Sequence, residues 1–252
     1  MWRSPIQLHR VNYKRRRVIY LQPLGEFPDF IHNFSFENIK GFFQVLQKYL
    51  SVFFYGFDVQ ILPQRPYGDY KTRVHQKTEK EQILVGPVLS HLGSLLPSDG
   101  ATIIGASWID LYPSENLNFL LGQGSLATRS AVFCFGRFEP RLDSWSDITK
   151  IDAELMWKII KVVLHETCHT FGLLHCKYYA CLMNESSSIE EACSQPQLLC
   201  PVCLRKVQYV VKFGLKERYE AQEKFLTILC QAFETEAWQK TLANIRTCIL
   251  HL

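Results

Sequence analysis

No run of eighteen apolar residues occurs in this 252-residue chain, so no segment is expected to cross a membrane as a helix. The opening residues, MWRSPIQLHRVNYKRRR, lack the apolar core and small-residue cleavage site of a secretory leader. The expectation is therefore a cytoplasmic or nuclear protein. No internal repeat or low-complexity tract is visible, which leaves repeat arrays aside. Charge of either sign is in modest excess only, with 28 basic against 24 acidic side chains and a net +4. Much of that excess sits in Lys14, Arg15, Arg16 and Arg17. The cluster reads as a solvated lead-in (1–17) to the first strand; a nucleic-acid patch is the alternative, and nucleic acid is not an expected partner. The nine cysteines are odd in number, and without a leader they read as reduced thiols rather than disulfides.

What remains is a chain that is 47% hydrophobic, enough for one domain with a full core. Strand and helix patterns alternate. Strands are expected at 18–24, 53–62, 101–112 and 130–138, and helices from Phe36 to Leu50 and from about Pro87 to Leu96. The polar stretch 63–82 reads as an exposed loop, with His75 a surface residue in it. Asp147 or Asp152 is the expected cap of a long helix carrying Met156, Ile159, Ile160, Val163 and Leu164 in one stripe. From Leu204 to Leu252 the pattern is mostly helical, with a break near Glu234. The order implies an α+β fold, a mixed sheet with helices packed on it.

The chemistry concentrates in KVVLHETCHTFGLLHCKYYACLM, residues 161–183. His165 and His169 are four apart, so a helix puts both on one face about 6 Å apart in rise. Glu166 is turned roughly 100° from His165 and stands beside any shared ion. Gly172 can end the helix in a left-handed conformation and let the chain bring His175 back as a third ligand. Three imidazoles and one open place make a catalytic zinc site. Five fixed positions of this kind recur by chance in roughly one such chain in a hundred thousand. Cys168, inside the motif, reads as a packed small side chain.

This block resembles the metzincin metallopeptidases, and within them the archaemetzincins, through Cys176, Cys181, Cys200 and Cys203 and the methionine at Met183. Weaker similarity runs through VIYLQPLG, FFYGFDVQIL, WIDLYP and NFLLGQGSL and on to about Tyr219. The resemblance implies a metzincin-like zincin fold with one catalytic domain over 18–252. Its upper part would be 18–172, with the active-site helix, and its lower part 173–252, with the Met-turn and C-terminal helices. Two zinc ions per chain are implied. His165, His169 and His175 would hold the catalytic one, and four thiolates the structural one. Met183 would lie beneath the catalytic ion without binding it. Cys193 is left outside the quartet, and Cys230 and Cys248 read as core residues. The resemblance also gives an edge strand above the active-site helix, for which Ser130 to Phe138 is the candidate. Gly122 and Gly124 before it read as turn glycines, or as a close approach to ligand.

The expected reaction is peptide hydrolysis. Zinc lowers the pKa of water towards about 7, and Glu166 serves as general base and then returns the proton to the leaving amine. The resemblance implies peptide substrates, with an aminopeptidase-like preference on small ones. Residues that would bind substrate are not identifiable from the sequence. Three other readings stay open: a zinc-binding scaffold that holds peptides without cutting them, a nucleic-acid binder, and a zinc hydrolase of other substrates.

Overall fold

The alternation of VIYLQPL decides the centre of the molecule. Ile19 and Leu21 enter one core and Val18, Tyr20 and Leu24 the other, because successive strand side chains point to opposite faces. The computed structural model describes residues 11–37, 39–138 and 148–252. The strand β1 (Val18–Leu24) is followed by a short helix α1 (Asp29–His32), a two-strand hairpin of β2 (Ser35–Phe36) and β3 (Ile39–Lys40), and helix α2 (Phe42–Phe53). Next come β4 (Asp58–Ile61), β5 (Thr72–Val74), β6 (Glu81–Leu84) and helix α3 (Val85–Leu95). Strands β7 (Gly100–Ser107), β8 (Asp110–Tyr112), β9 (Gly122–Ser125) and β10 (Ser130–Cys134) lead to the long helix α4 (Ala153–Thr170). Helices α5 (Ile189–Ser194), α6 (Pro201–Val211), α7 (Leu215–Ala232) and α8 (Glu236–Leu250) complete the chain.

The main sheet runs β4-β1-β7-β10-β9. Its first four strands are parallel, and β9 closes it antiparallel to β10. Every residue of β1, β7 and β10 is buried, as a sheet covered on both faces requires. α3 covers one face through Val88, Leu89 and Leu92. The other face belongs to the larger core with α2, α4 and the C-terminal helices, where Phe42, Leu46, Ile159, Val163, Leu226 and Trp238 meet. The Trp238 indole donates to the carbonyl of Ala153 at 3.0 Å, tying α8 to the start of α4. Asp152 caps α4 by accepting from Leu155 N–H at 2.8 Å; the alternative cap, Asp147, lies outside the described residues.

Several boundaries differ from the expectation. The helix expected from Phe36 starts only at Phe42, after Gly41 at φ 114°. Its helically spaced phenylalanines begin in a hairpin. The strand expected over 53–62 is shortened to Asp58–Ile61, because α2 runs through Phe53 and Gly56, at φ 89°, turns the chain. The stretch 63–82 is not all loop. It contains β5, which pairs with β6, and β6 pairs in turn with β8. His75 there is half-buried and belongs to neither histidine nor cysteine cluster. The strand expected over 101–112 is two strands, β7 and β8, in different sheets. Most consequential, β10 is not an edge: β7 and β9 flank it, and β9 is the outer strand. The basic cluster is partly structural, since Arg17 donates to the carbonyls of Val211 at 2.9 Å and Gly56 at 2.6 Å.

Candidate metal centres

The first half of α4 is apolar enough to be buried on nearly all sides, which fixes how its last two turns present their polar groups. Gly172, at φ 87°, ends the helix. Its N–H reaches the carbonyl of His169 at 2.9 Å and Leu173 N–H that of Cys168 at 3.2 Å, the paired bonds of a Schellman stop. The chain then returns His175 towards the helix. The three imidazole centroids stand 4.7, 5.4 and 4.9 Å apart, and one nitrogen from each lies within 4.8 Å of the others.

The second layer of contacts decides what these rings can bind. His165 Nδ1 lies 2.8 Å from the carbonyl of Leu182 and His169 Nδ1 lies 2.7 Å from that of Leu173. A carbonyl oxygen only accepts, so each Nδ1 carries the proton and each Nε2 keeps its lone pair. Those two Nε2 atoms face each other at 3.0 Å. Two lone pairs so close repel unless a cation lies between them. Ligands at about 2.0–2.1 Å in a tetrahedral set would stand about 3.3–3.4 Å apart, so the arrangement fits a zinc ion. Burial, with the neighbouring imidazole adding to it, pushes His165 down to about 3. Burial likewise lowers His169 to about 4. Both rings are thus neutral across ordinary pH and free to act as ligands. His175 is the exposed member, with its Nδ1 3.9 Å from Glu185.

Glu166 is buried beside this group. Burial raises its carboxyl to about 8, against which a backbone hydrogen bond from Gly124 works. Gly122 and Gly124 are neither turn residues nor left-handed. They lie in β9, where a Cβ on Gly122 would fall 2.6 Å from Glu166 Cγ, and one on Gly124 would fall 2.3 Å from the Glu166 carbonyl oxygen and 2.7 Å from His169 Cβ. Their missing side chains are what let the edge strand sit directly on the helix.

Cys176, Cys181, Cys200 and Cys203 form a second cluster, their sulfurs all within 4.8 Å. The Cys176–Cys200 separation is 3.9 Å, close to the roughly 3.8 Å edge of a tetrahedron with bonds of about 2.3 Å. Cys181 Sγ accepts from the amides of Cys200 at 3.2 Å and Met183 at 3.5 Å, and Cys200 Sγ accepts from Cys203 N–H at 3.5 Å. The Cys203 thiol above all, with these amides, holds Cys181 down to about 5, while Cys181 and burial push Cys203 up and burial pushes Cys200 up, so the cluster favours one thiolate at Cys181. All nine cysteines are free of disulfides. Cys168 and Cys230 are buried, and Cys193 lies outside the quartet.

The two clusters share one loop. Cys176 N–H donates to the Met183 carbonyl at 2.7 Å. Asn184 Nδ2 donates to the carbonyls of Cys176 at 2.7 Å and Tyr179 at 2.9 Å, while its Oδ1 accepts from Cys181 N–H at 2.8 Å. Met183 is fully buried. Leu182, whose carbonyl orients His165, is itself held through its N–H to Leu198 at 2.8 Å. The Leu173 and Leu182 carbonyls were not identifiable from the sequence, because backbone acceptors have no sequence signature, and Asn184 and Glu185 lie outside the histidine and cysteine motif. The alternating glycines of Gly-Gln-Gly were the one available signal for the edge strand.

Residues 97–209 match the model of peptidase family M54. Archaemetzincin-2 of Rattus norvegicus is 34% identical over 239 residues, covering 84% of this chain and 64% of the relative. The chain thus spans less than two thirds of the length of the curated relatives it matches. Among solved structures, archaemetzincin from Methanopyrus kandleri aligns with a TM-score of 0.55 at 21% identity, covering 79% of this chain and 97% of that one. A zinc-dependent peptidase from Methanocorpusculum labreanum aligns with a TM-score of 0.54 at 18% identity, over 75% and 99% of the two chains. Among the described residues no helix is long and apolar enough to cross a membrane. The region from residue 97 to residue 209, which carries both clusters, is similar to peptidase family M54, and the chain shares the fold of the archaemetzincin structures.

Proposed function

We propose that this chain is a zinc metallopeptidase that holds two zinc ions. His165, His169 and His175 bind the catalytic one, and Cys176, Cys181, Cys200 and Cys203 the structural one. The observation that carries the reading is the pair of Nε2 lone pairs facing each other at 3.0 Å while both Nδ1 atoms are committed to carbonyls. A zinc ion there would lower the pKa of water towards about 7 and polarise a carbonyl oxygen. Glu166, held by the Gly124 amide, takes the proton of the attacking water and passes it to the leaving amine. Met183, fully buried, forms the apolar floor. Among the described residues strand β9 has β10 on one side alone, so its other edge offers backbone groups to an extended peptide, which would add as a further strand. The division of labour falls at Gly172, with residues 18–172 supplying the sheet and active-site helix and 173–252 the thiolate-held base.

The test combines metal content with turnover. Wild-type protein should carry two zinc ions and cleave peptides from a mixed library. Glu166→Gln should keep both ions and lose turnover, whereas His165→Ala should keep one ion. Cleavage by Glu166→Gln at the wild-type rate refutes the assignment of the base. On small peptides cleavage is expected from the amino end, so acetylating that end should slow it; equal rates for capped and free peptides remove the aminopeptidase reading.

A further inference from the structure

The loop that joins the two clusters carries more exposed apolar surface than its length explains. Leu174, Tyr178 and Tyr179 are 62%, 87% and 54% exposed, and all three lie within four residues of His175, the solvent-facing member of the histidine group. A mobile loop could fold such side chains back onto the core. This one is fixed by the Cys176–Met183 backbone bond, by the Asn184 bonds to Cys176, Tyr179 and Cys181, and by two sulfurs of the cysteine cluster. The rings are held out in water, at a hydrophobic cost that nothing else in the loop relieves.

We propose that Leu174, Tyr178 and Tyr179 form a platform for an apolar or aromatic side chain of the peptide substrate, next to the bond that is cut. This rests on the peptidase reading of the histidine site. Three side chains are far too few for a stable protein partner, which needs about 800 Å² on each side. They suit one side chain of an extended segment that already passes His175. Tyrosines on a fixed loop give contact area with little loss of rotamer freedom. Lys177 in the same loop is exposed as well, and it leaves an acidic neighbour of the docked side chain tolerable.

The experiment uses the zinc-loaded chain and pairs of peptides that differ only in Phe or Ala at positions flanking the cleaved bond. Wild type should prefer the Phe peptide at one of those positions. The double substitution Tyr178→Ser with Tyr179→Ser should lower kcat/KM for the Phe peptide about tenfold or more, chiefly through KM. The Ala peptide should be cut as before, with zinc content unchanged. Tyr178→Phe with Tyr179→Phe should keep the preference. A double serine variant that retains the full Phe preference overturns the platform. Binding of the same peptides to zinc-loaded Glu166→Gln, followed by fluorescence anisotropy, separates the two ideas. Should wild type cut nothing, weaker Phe-peptide binding on loss of the tyrosines supports the platform while the peptidase reading falls. Unchanged binding there overturns the platform as well.

Discussion

Adding one methyl group at either of two glycines should break the active site in two different ways. A Cβ at Gly122 falls 2.6 Å from Glu166 Cγ, 3.0 Å from its Cδ and 3.0 Å from the Val132 carbonyl. A Cβ at Gly124 falls 2.3 Å from the Glu166 carbonyl oxygen and 2.7 Å from His169 Cβ. Neither position has a left-handed backbone, so any cost is steric. Ordinary carbon contacts need about 3.5–4.0 Å, so something must move by about an ångström at both sites, and overpacking of this kind costs about 1–3 kcal/mol. At Gly122 the nearest atoms belong to a side chain, which can yield. Gly122→Ala should therefore displace the carboxylate, lowering kcat by tenfold or more with two zinc ions still bound. At Gly124 the obstacle is helix backbone, so strand and helix must separate. Gly124→Ala should weaken zinc binding by His169 and lower the melting temperature. Gly86→Ala in α3 is the control, because nothing lies within 4 Å of its Cβ. It should be neutral or stabilising by up to about 1 kcal/mol. Zinc content by mass, peptide turnover and thermal melting decide the matter. A Gly124→Ala protein with full zinc, turnover and melting temperature would refute the idea that β9 rests on the helix through its missing side chains.

Asn184→Ala removes three hydrogen bonds that close the 176–184 loop and should cost about 1–3 kcal/mol, read as faster zinc loss from the cysteine cluster to a chelator. Trp238→Ala empties a fully buried site and removes the bond to Ala153; about 3–5 kcal/mol is expected in denaturant unfolding, and a loss below 1 kcal/mol would contradict the packing described. Burial above all raises Tyr67 to about 12. The unfolded tyrosine ionises near 10, so the unfolded chain holds fewer protons between those values. Stability should therefore be intact below pH 10 and fall as pH rises towards 12, and Tyr67→Phe should flatten that fall in urea unfolding at pH 9, 10 and 11.

How much could be read from the residues alone depended on whether the controlling contact was local. The helix stop at Gly172 was legible because a left-handed glycine is a property of a few consecutive residues. The same holds for β1, whose alternation needs no partner. The start of α2 was not, since Phe36 and Ile39 keep helical spacing while pairing as a hairpin that Gly41 ends. Strand order was the larger gap. The segment 130–134 precedes the active-site helix in the chain, yet β9 lies outside it in space, and nothing in the local pattern of either strand records that. The histidine and cysteine clusters were readable as motifs, whereas the carbonyls that fix the proton positions of the imidazoles carry no residue identity at all.

The Leu182 carbonyl that orients His165 sits one residue past Cys181 of the sulfur cluster and one before the buried methionine. Tampering with the sulfur cluster would thus rotate the His165 ring without touching it. Two sites that look like separate modules in a motif diagram are mechanically one part, so inactivity after loss of a cysteine is no evidence that the cysteine took part in the reaction. Attempts to fit either cluster to a chosen metal would have to carry the shared loop along.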